Sequence, residues 1–248
     1  ISKNFNDLIE NKDINFVYIP TPSIIRFNLI NKSCSMNKNI LAEKPVCNNL
    51  NEMIQIKKMV ENTGVLFLDA TDFLYNPKLL NFKNDIKNYD NVEFKFYLEK
   101  DNNFLKNNIR TNKNLEPLGC LGDIGWYAIR WAIFLYPQKI VEVKIIDKNY
   151  INEVISDIKA VIIFENNRFF SFDCSFTKKK TQELVIKNKN RIVLKTNDIF
   201  KLSDTKYKDD VFKNSRLIEF FTRNINRDFV NKNLDELIKT YEIIERIQ

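Results

Sequence analysis

The chain has 248 residues, of which 44% are apolar and 29% charged, with a formal net charge of +7. That length and balance exclude a disordered chain, and no apolar run reaches the roughly 18 residues needed to cross a membrane. There is no histidine, so the commonest metal ligand and the commonest general base are absent, and any catalysis falls to Lys, Tyr, Asp, Glu or Cys.

Cys34, Cys47, Cys120 and Cys174 are too widely spaced for a zinc pattern or a dense disulfide framework. They read as reduced thiols of a cytoplasmic protein. The lysines are scattered among many asparagines and isoleucines, which argues against a phosphate-tracking patch and a nucleic-acid partner. The dense cluster, Lys178-Lys179-Lys180, reads as a solvated hairpin turn between two strands. The chain opens on Ile1, which suggests a piece of a longer protein.

Along the chain, Asn15 to Pro20 is a short apolar run closed by prolines, a buried strand ending in a loop. A helix is expected from about Ile24 to Met36, and a second strand from Asn39 to Ala42. The turn Glu43-Lys44-Pro45 follows. Asn49 with Glu52 three residues later is a capping-box pattern, and Thr63-Gly64 is a natural helix stop. Val65 to Ala70 is a third strand. Strand–helix alternation predicts a parallel sheet flanked by helices.

From Asn91 the pattern changes. Val92, Phe94, Phe96 and Leu98 alternate with polar or amphipathic residues, the period of a half-buried strand. A helix is predicted from Asp123 to Tyr136, with Ile124, Tyr127, Ala128, Trp131, Ala132 and Leu135 on one face. Strands follow near Val141–Ile146, Ile158–Phe164, Arg168–Cys174, Glu183–Ile186 and Arg191–Lys195, with Asn166-Asn167 as a tight hairpin turn. A last helix runs from about Asn233 to the end, with Asn233 and Glu236 repeating the capping box. The expected fold is α/β: a partial Rossmann domain over residues 1–72, then an α+β domain over 73–248 with a large, mostly antiparallel open sheet.

Three segments carry more than secondary structure: Val17-Tyr18-Ile19-Pro20-Thr21-Pro22, Ala42-Glu43-Lys44-Pro45-Val46, and Leu118-Gly119-Cys120-Leu121-Gly122-Asp123-Ile124-Gly125-Trp126-Tyr127. In order and spacing they resemble the glucose–fructose oxidoreductase / inositol dehydrogenase (Gfo/Idh/MocA) family, within it the dihydrodiol-dehydrogenase-like branch. The resemblance implies hydride transfer between NAD or NADP and a small polyol, sugar or trans-diol. It makes Lys44 and Tyr127 the proton-handling residues and Asp123 the residue that orients the substrate or caps the helix. It sets Pro20, Thr21, Pro22, Glu43, Lys44 and Pro45 beside the nicotinamide. It also implies a homo-oligomer through the open sheet, while the composition itself argues against a metal site and a membrane partner. Cys47 and Cys120 lie near motifs without a neighbouring base and read as structural. Arg110 precedes the glycine loop within reach of a polar substrate, but reads more readily as a surface arginine.

Two departures stand out. The family opens on a strand, a glycine-rich loop that holds the dinucleotide pyrophosphate, and a helix, whereas the first glycine here is Gly64. The roughly two strand–helix units that carry that loop are missing from these residues, as in a fragment or in a degenerate, non-catalytic relative. NAD and NADP are not distinguished, because the discriminating segment is among those units. The family's usual histidine after the Pro-Thr-Pro strand is replaced by Arg26.

Overall fold

The computed structural model describes residues 4–86, 89–202, 205–206, 217–218, 220–221 and 225–248. A short helix α1 (Phe5–Glu10) leads into a three-stranded parallel sheet of β1 (Phe16–Ile19), β2 (Asn39–Ala42) and β3 (Phe67–Asp69), in that order. Phe16 pairs with Asn39 and Ile40 with Phe67. Helices α2 (Ser23–Ser35) and α3 (Leu50–Thr63) make the crossovers. The predicted signals of α3 are used. Asn49 accepts the Glu52 N–H at 2.9 Å, and Gly64 adopts the left-handed φ of 74° while donating to Val60 O. The capping box is only half made, because the Glu52 carboxylate turns to the Asn48 N–H.

The second sheet has six strands: β4 (Asn91–Tyr97), β5 (Ile140–Ile151), β6 (Val154–Phe164), β7 (Arg168–Ser175), β8 (Thr181–Asn188) and β9 (Arg191–Thr196). Their order is β5-β6-β7-β4-β8-β9. Only the β4–β7 pair is parallel. Alternation along β4 buries Val92, Phe94 and Phe96. Asn166 and Asn167 both take positive φ at the β6–β7 turn, as a tight hairpin demands. The Lys178–Lys180 segment is not a hairpin turn. It bridges β7 and β8 across β4, which lies between them.

Several short helices escaped the sequence reading: α1, α4 (Pro77–Asp85), α5 (Asn102–Asn107) and single 3₁₀ turns at Asp72–Tyr75 and Ile109–Thr111. The last helix, α7 (Arg227–Ile247), starts earlier than predicted, with Asn226 as its cap. Asn233 is buried mid-helix and accepts from the Arg130 guanidinium at 3.1 Å, so it serves tertiary packing rather than capping. Asp123 likewise is not a cap. Helical turns already begin at Gly119 and pass through a wide π-turn, Leu121–Gly125, before α6 (Trp126–Leu135).

α6 is buried on most of its surface, against α7 and a set of aromatic side chains, with Trp131 stacked on Phe73 at 5.2 Å. It carries Arg130 into the interior, where Asp69 at 3.6 Å and Glu236 at 3.5 Å balance its charge. The four cysteines are free and buried. Among the described residues no helix is long and apolar enough to cross a membrane.

Candidate active site

In a parallel sheet the carboxyl ends of the strands point to one side, where ligands gather. Here β1 ends in Pro20-Thr21-Pro22 and β2 in Glu43-Lys44-Pro45. The segment from Ile109 to Asp123 closes the third side. Together they enclose a cavity of about 290 Å³. Pro20, Thr21, Pro22, Glu43, Lys44, Pro45 and Asp123, all singled out from sequence, line it. Tyr127 lies beside it, below Lys44.

The π-turn explains how Asp123 reaches Lys44. Gly122 lies so close to the neighbouring chain that a Cβ there would come within 2.7 Å of Leu118 Cβ and 3.2 Å of Pro45 Cγ. The turn therefore rests directly on the Glu-Lys-Pro loop. From the other side, the Tyr241 hydroxyl of α7 accepts from the Cys47 N–H and donates to the Cys47 carbonyl, both at 2.8 Å. The loop that carries Lys44 is thus fixed by the last helix of the chain.

Lys44 Nζ donates to Asp123 Oδ1 at 2.6 Å and to the Asp123 carbonyl at 2.8 Å. It stands 4.9 Å from the centroid of the Tyr127 ring. The ammonium and carboxylate side chains are only 10% and 11% exposed, so their attraction is weakly screened. Arg110 joins them, with Nε 3.0 Å from the same Asp123 oxygen. Burial pushes the Asp123 carboxyl up, but Lys44 and Arg110 outweigh it and hold the group below the usual carboxylate range.

Tyr127 is packed among Phe73, Phe96 and Phe200, with centroids at 6.0, 6.2 and 4.9 Å. Burial first, and then Asp123, Asp72 and Glu43, push its phenol well above the ordinary value. It stays neutral across the physiological range, a donor rather than a carrier of negative charge. Tyr18 donates to Glu43 Oε1 at 2.6 Å.

Three residues of this cavity are not assigned to it by the sequence. Arg26 is 2% exposed, and its guanidinium donates to the Thr21 and Pro45 carbonyls. The replacement for the family's histidine is thus a strut that ties the first motif loop to the second. Glu116 accepts the Ser23 N–H at 3.0 Å and so caps α2 from a distant segment. Arg110 is part of the charge cluster, not a bare surface residue. Nothing local in the sequence marks Glu116, whose partner Ser23 lies 93 positions away, and Arg110 is marked only by its place before the glycine loop.

Asp72 is a further titratable group near the site. Burial, and then Glu43, raise its carboxyl from 3.8 to about 6, with Lys44 acting in the opposite direction. A carboxyl raised on folding binds protons more tightly in the native state. Native stability therefore falls as pH rises between about 4 and 6, and the loss persists above that window. Asp72→Asn will raise the melting temperature relative to the parent at pH 8 and leave it nearly unchanged at pH 3.5. A stability difference that does not vary with pH between the two proteins contradicts this assignment.

The architecture is that of a dinucleotide-type parallel sheet joined to a large open sheet, with the cavity at the strand ends. Residues 2–70 match the model of the Gfo/Idh/MocA family, described as an oxidoreductase family with an NAD-binding Rossmann fold. A curated relative is the dTDP-3,4-didehydro-2,6-dideoxy-alpha-D-glucose 3-reductase of Actinomadura kijaniata, 27% identical over 71 residues. The matched stretch covers 29% of this chain and 21% of that protein. Among solved structures, GenD2 from gentamicin A biosynthesis, in complex with NAD, superposes with a TM-score of 0.79 at 15% identity, covering 99% of this chain and 78% of that one. Levoglucosan dehydrogenase, in complex with NADH and levoglucosan, gives a TM-score of 0.72 at 14% identity, covering 99% and 79%. These likenesses extend the shared fold over both sheets.

Proposed function

We propose that the protein is an NAD(P)-dependent oxidoreductase that interconverts a secondary alcohol and a ketone on a small sugar, polyol or trans-diol. The observation that carries the reading is the contact of Lys44 with Asp123 and the Tyr127 ring, at the edge of a cavity formed by the ends of two parallel strands. The relatives point the same way: one is named as a sugar 3-reductase and another is a dehydrogenase held with NADH and an anhydrosugar.

The residues fit the nicotinamide end of the cofactor. Thr21 Oγ1 is buried without a hydrogen-bond partner, which suits the amide of a nicotinamide. Pro20, Pro22 and Pro45 give apolar faces for a flat ring. When bound, the cofactor supplies or accepts the hydride. No glycine-rich turn that would cradle the pyrophosphate precedes Gly64 in this sequence. The residues fit NAD and NADP alike, since both carry the same nicotinamide end.

The chain's own part is the proton. Lys44 takes it from the substrate hydroxyl on oxidation and returns it to the carbonyl oxygen on reduction, within hydrogen-bond reach. Asp123 holds the Lys44 ammonium and orients the hydroxyl. Tyr127, neutral and acidic only at high pH, shares the proton with Lys44, as in the tyrosine-bearing dihydrodiol-dehydrogenase branch. The partial Rossmann unit, residues 1–72, supplies the cofactor side and residues 73–248 the substrate side.

A second reading, a non-catalytic relative that keeps the sheet for assembly, is favoured by the apolar surface of the six-stranded sheet. The outer face and edges of the six-stranded sheet expose Val141, Ile146, Tyr150 and Ile192, each more than half accessible. We assign this face to contact with a second copy. The two readings separate in one assay. A screen of sugars, polyols and trans-diols with NAD and with NADP, followed at the reduced-nicotinamide absorbance, yields turnover under the first reading. No turnover with any of them, in a protein that still dimerises, supports the second.

A further inference from the structure

Asp123 Oδ1 is shared by two cations of different character, Lys44 Nζ at 2.6 Å and Arg110 Nε at 3.0 Å. An ammonium loses its charge when it gives up a proton. A guanidinium stays protonated throughout the physiological range. With Lys44 as its only partner, the enclosed carboxylate would lose its counter-charge whenever Lys44 is neutral. A buried anion in that position captures a proton itself.

We propose that Arg110 is a positioning residue that keeps Asp123 ionised and in place through both charge states of Lys44. The inference rests on the reading of Lys44 as proton carrier. On oxidation the substrate O–H bond breaks and an N–H bond forms at Nζ, while Asp123 remains a carboxylate held by Arg110. On reduction the same proton returns to oxygen. Without Arg110, Asp123 would have no adjacent cation while Lys44 is neutral, and its carboxylate would take up a proton of its own.

The base on which Arg110 stands supports the role. Its 3₁₀ turn is capped by Asn108, which accepts the Arg110 N–H at 3.0 Å. Thr111, 2% exposed, ties the turn to the Asn108 carbonyl at 2.9 Å. The Arg110 side chain itself is 43% exposed and borders the cavity. The other ionisable groups around the pair are Glu43 after β2, Asp72 after β3, Glu116 before the π-turn, and Cys120 and Tyr127 on either side of Asp123, with Asp157 and Asp173 beyond on β6 and β7. All are acids. Arg26, the other arginine of the cavity, is committed to two carbonyls. Among the described residues Arg110 is the permanent cation that Asp123 touches.

The test reads Asp123 directly, by carboxyl carbon-13 NMR of protein labelled at aspartate, with the signal assigned by its loss in Asp123→Asn. It needs neither cofactor nor substrate, so a failed activity screen leaves it intact. In Lys44→Met, Asp123 is expected to stay ionised at neutral pH, because one adjacent cation still offsets its burial. Adding Arg110→Met to that variant raises the midpoint by at least about one unit. Adding Arg110→Lys instead restores part of the shift. If the methionine pair does not fold, Arg110→Gln in the same background gives the comparison. Equal midpoints with and without Arg110 overturn the proposal.

Discussion

Replacing Lys44 with methionine will lower kcat by about 10³-fold, within the range that a positioned acid–base group contributes, while the protein remains folded. Methionine keeps an unbranched apolar chain and removes the ammonium that stands over the Tyr127 ring. Asp123 stays paired with Arg110 at 3.0 Å, so the variant does not strand a buried charge. The fall belongs in kcat if, as proposed, Lys44 acts on the reacting proton, since the cavity wall is otherwise intact. Steady-state kinetics, with circular dichroism as the folding control, decide it. A variant that retains turnover within tenfold of the parent would remove Lys44 from the chemistry.

Gly119→Ala will destabilise the protein by about 2–4 kcal/mol, the sum of an overpacking cost and a left-handed backbone cost. Gly119 has φ of +53°, and a Cβ there would come within 2.5 Å of the Ile155 carbonyl and 2.9 Å of Val154 Cβ. Both belong to β6, and backbone in a six-stranded sheet cannot move aside cheaply. The displaced segment begins the π-turn that carries Asp123, so activity falls together with stability. Gly64→Ala is the internal control. Gly64 also has positive φ, +74°, but nothing lies within 4 Å of its would-be Cβ. It therefore costs about 1 kcal/mol, the backbone share alone. Urea unfolding of both variants separates the clash from the φ penalty, and equal losses would refute the close-packing argument.

Much of the fold could be read from periodicity. The parallel strands, the alternation of β4 and the Asn-Asn turn of β6–β7 each follow from residues adjacent in sequence. What escaped depended on other parts of the chain. The Lys178–Lys180 connection looks local, yet β4, from much earlier in the chain, inserts between the strands it joins. Asn233 has Glu236 three positions after it, as a capping box requires, but the apolar stripe of α7 already includes Val230, so helix and burial both begin sooner. The helix at Pro77 had a signal that was not used: Asn76 caps the Lys78 N–H ahead of a proline in the first turn.

The site shows the same division. Pro20, Thr21, Pro22, Glu43, Lys44, Pro45 and Asp123 converge on one cavity because each motif sits at a strand end or on the turn facing it. Asp123 was placed at a helix start, since nothing in the sequence marks the wide π-turn that lets Gly122 rest on Pro45. Arg26 stood out only as a departure, and its strut between two carbonyls required the fold. Glu116 meets its partner across a chain separation that no local pattern encodes, and Arg110 is marked only by its place before the glycine loop.

The central claim is that this cavity receives a nicotinamide ring. Reduced nicotinamide mononucleotide tests it most directly, since it carries that ring and its ribose phosphate but makes no demand on a pyrophosphate turn. Titrated at millimolar concentration into isotope-labelled protein, it is predicted to shift the amide resonances of Thr21, Lys44 and the Asp123–Tyr127 turn, and to leave the outer strands β5 and β9 unmoved. Shifts confined to the open sheet, or none at all at these three places, would contradict the account.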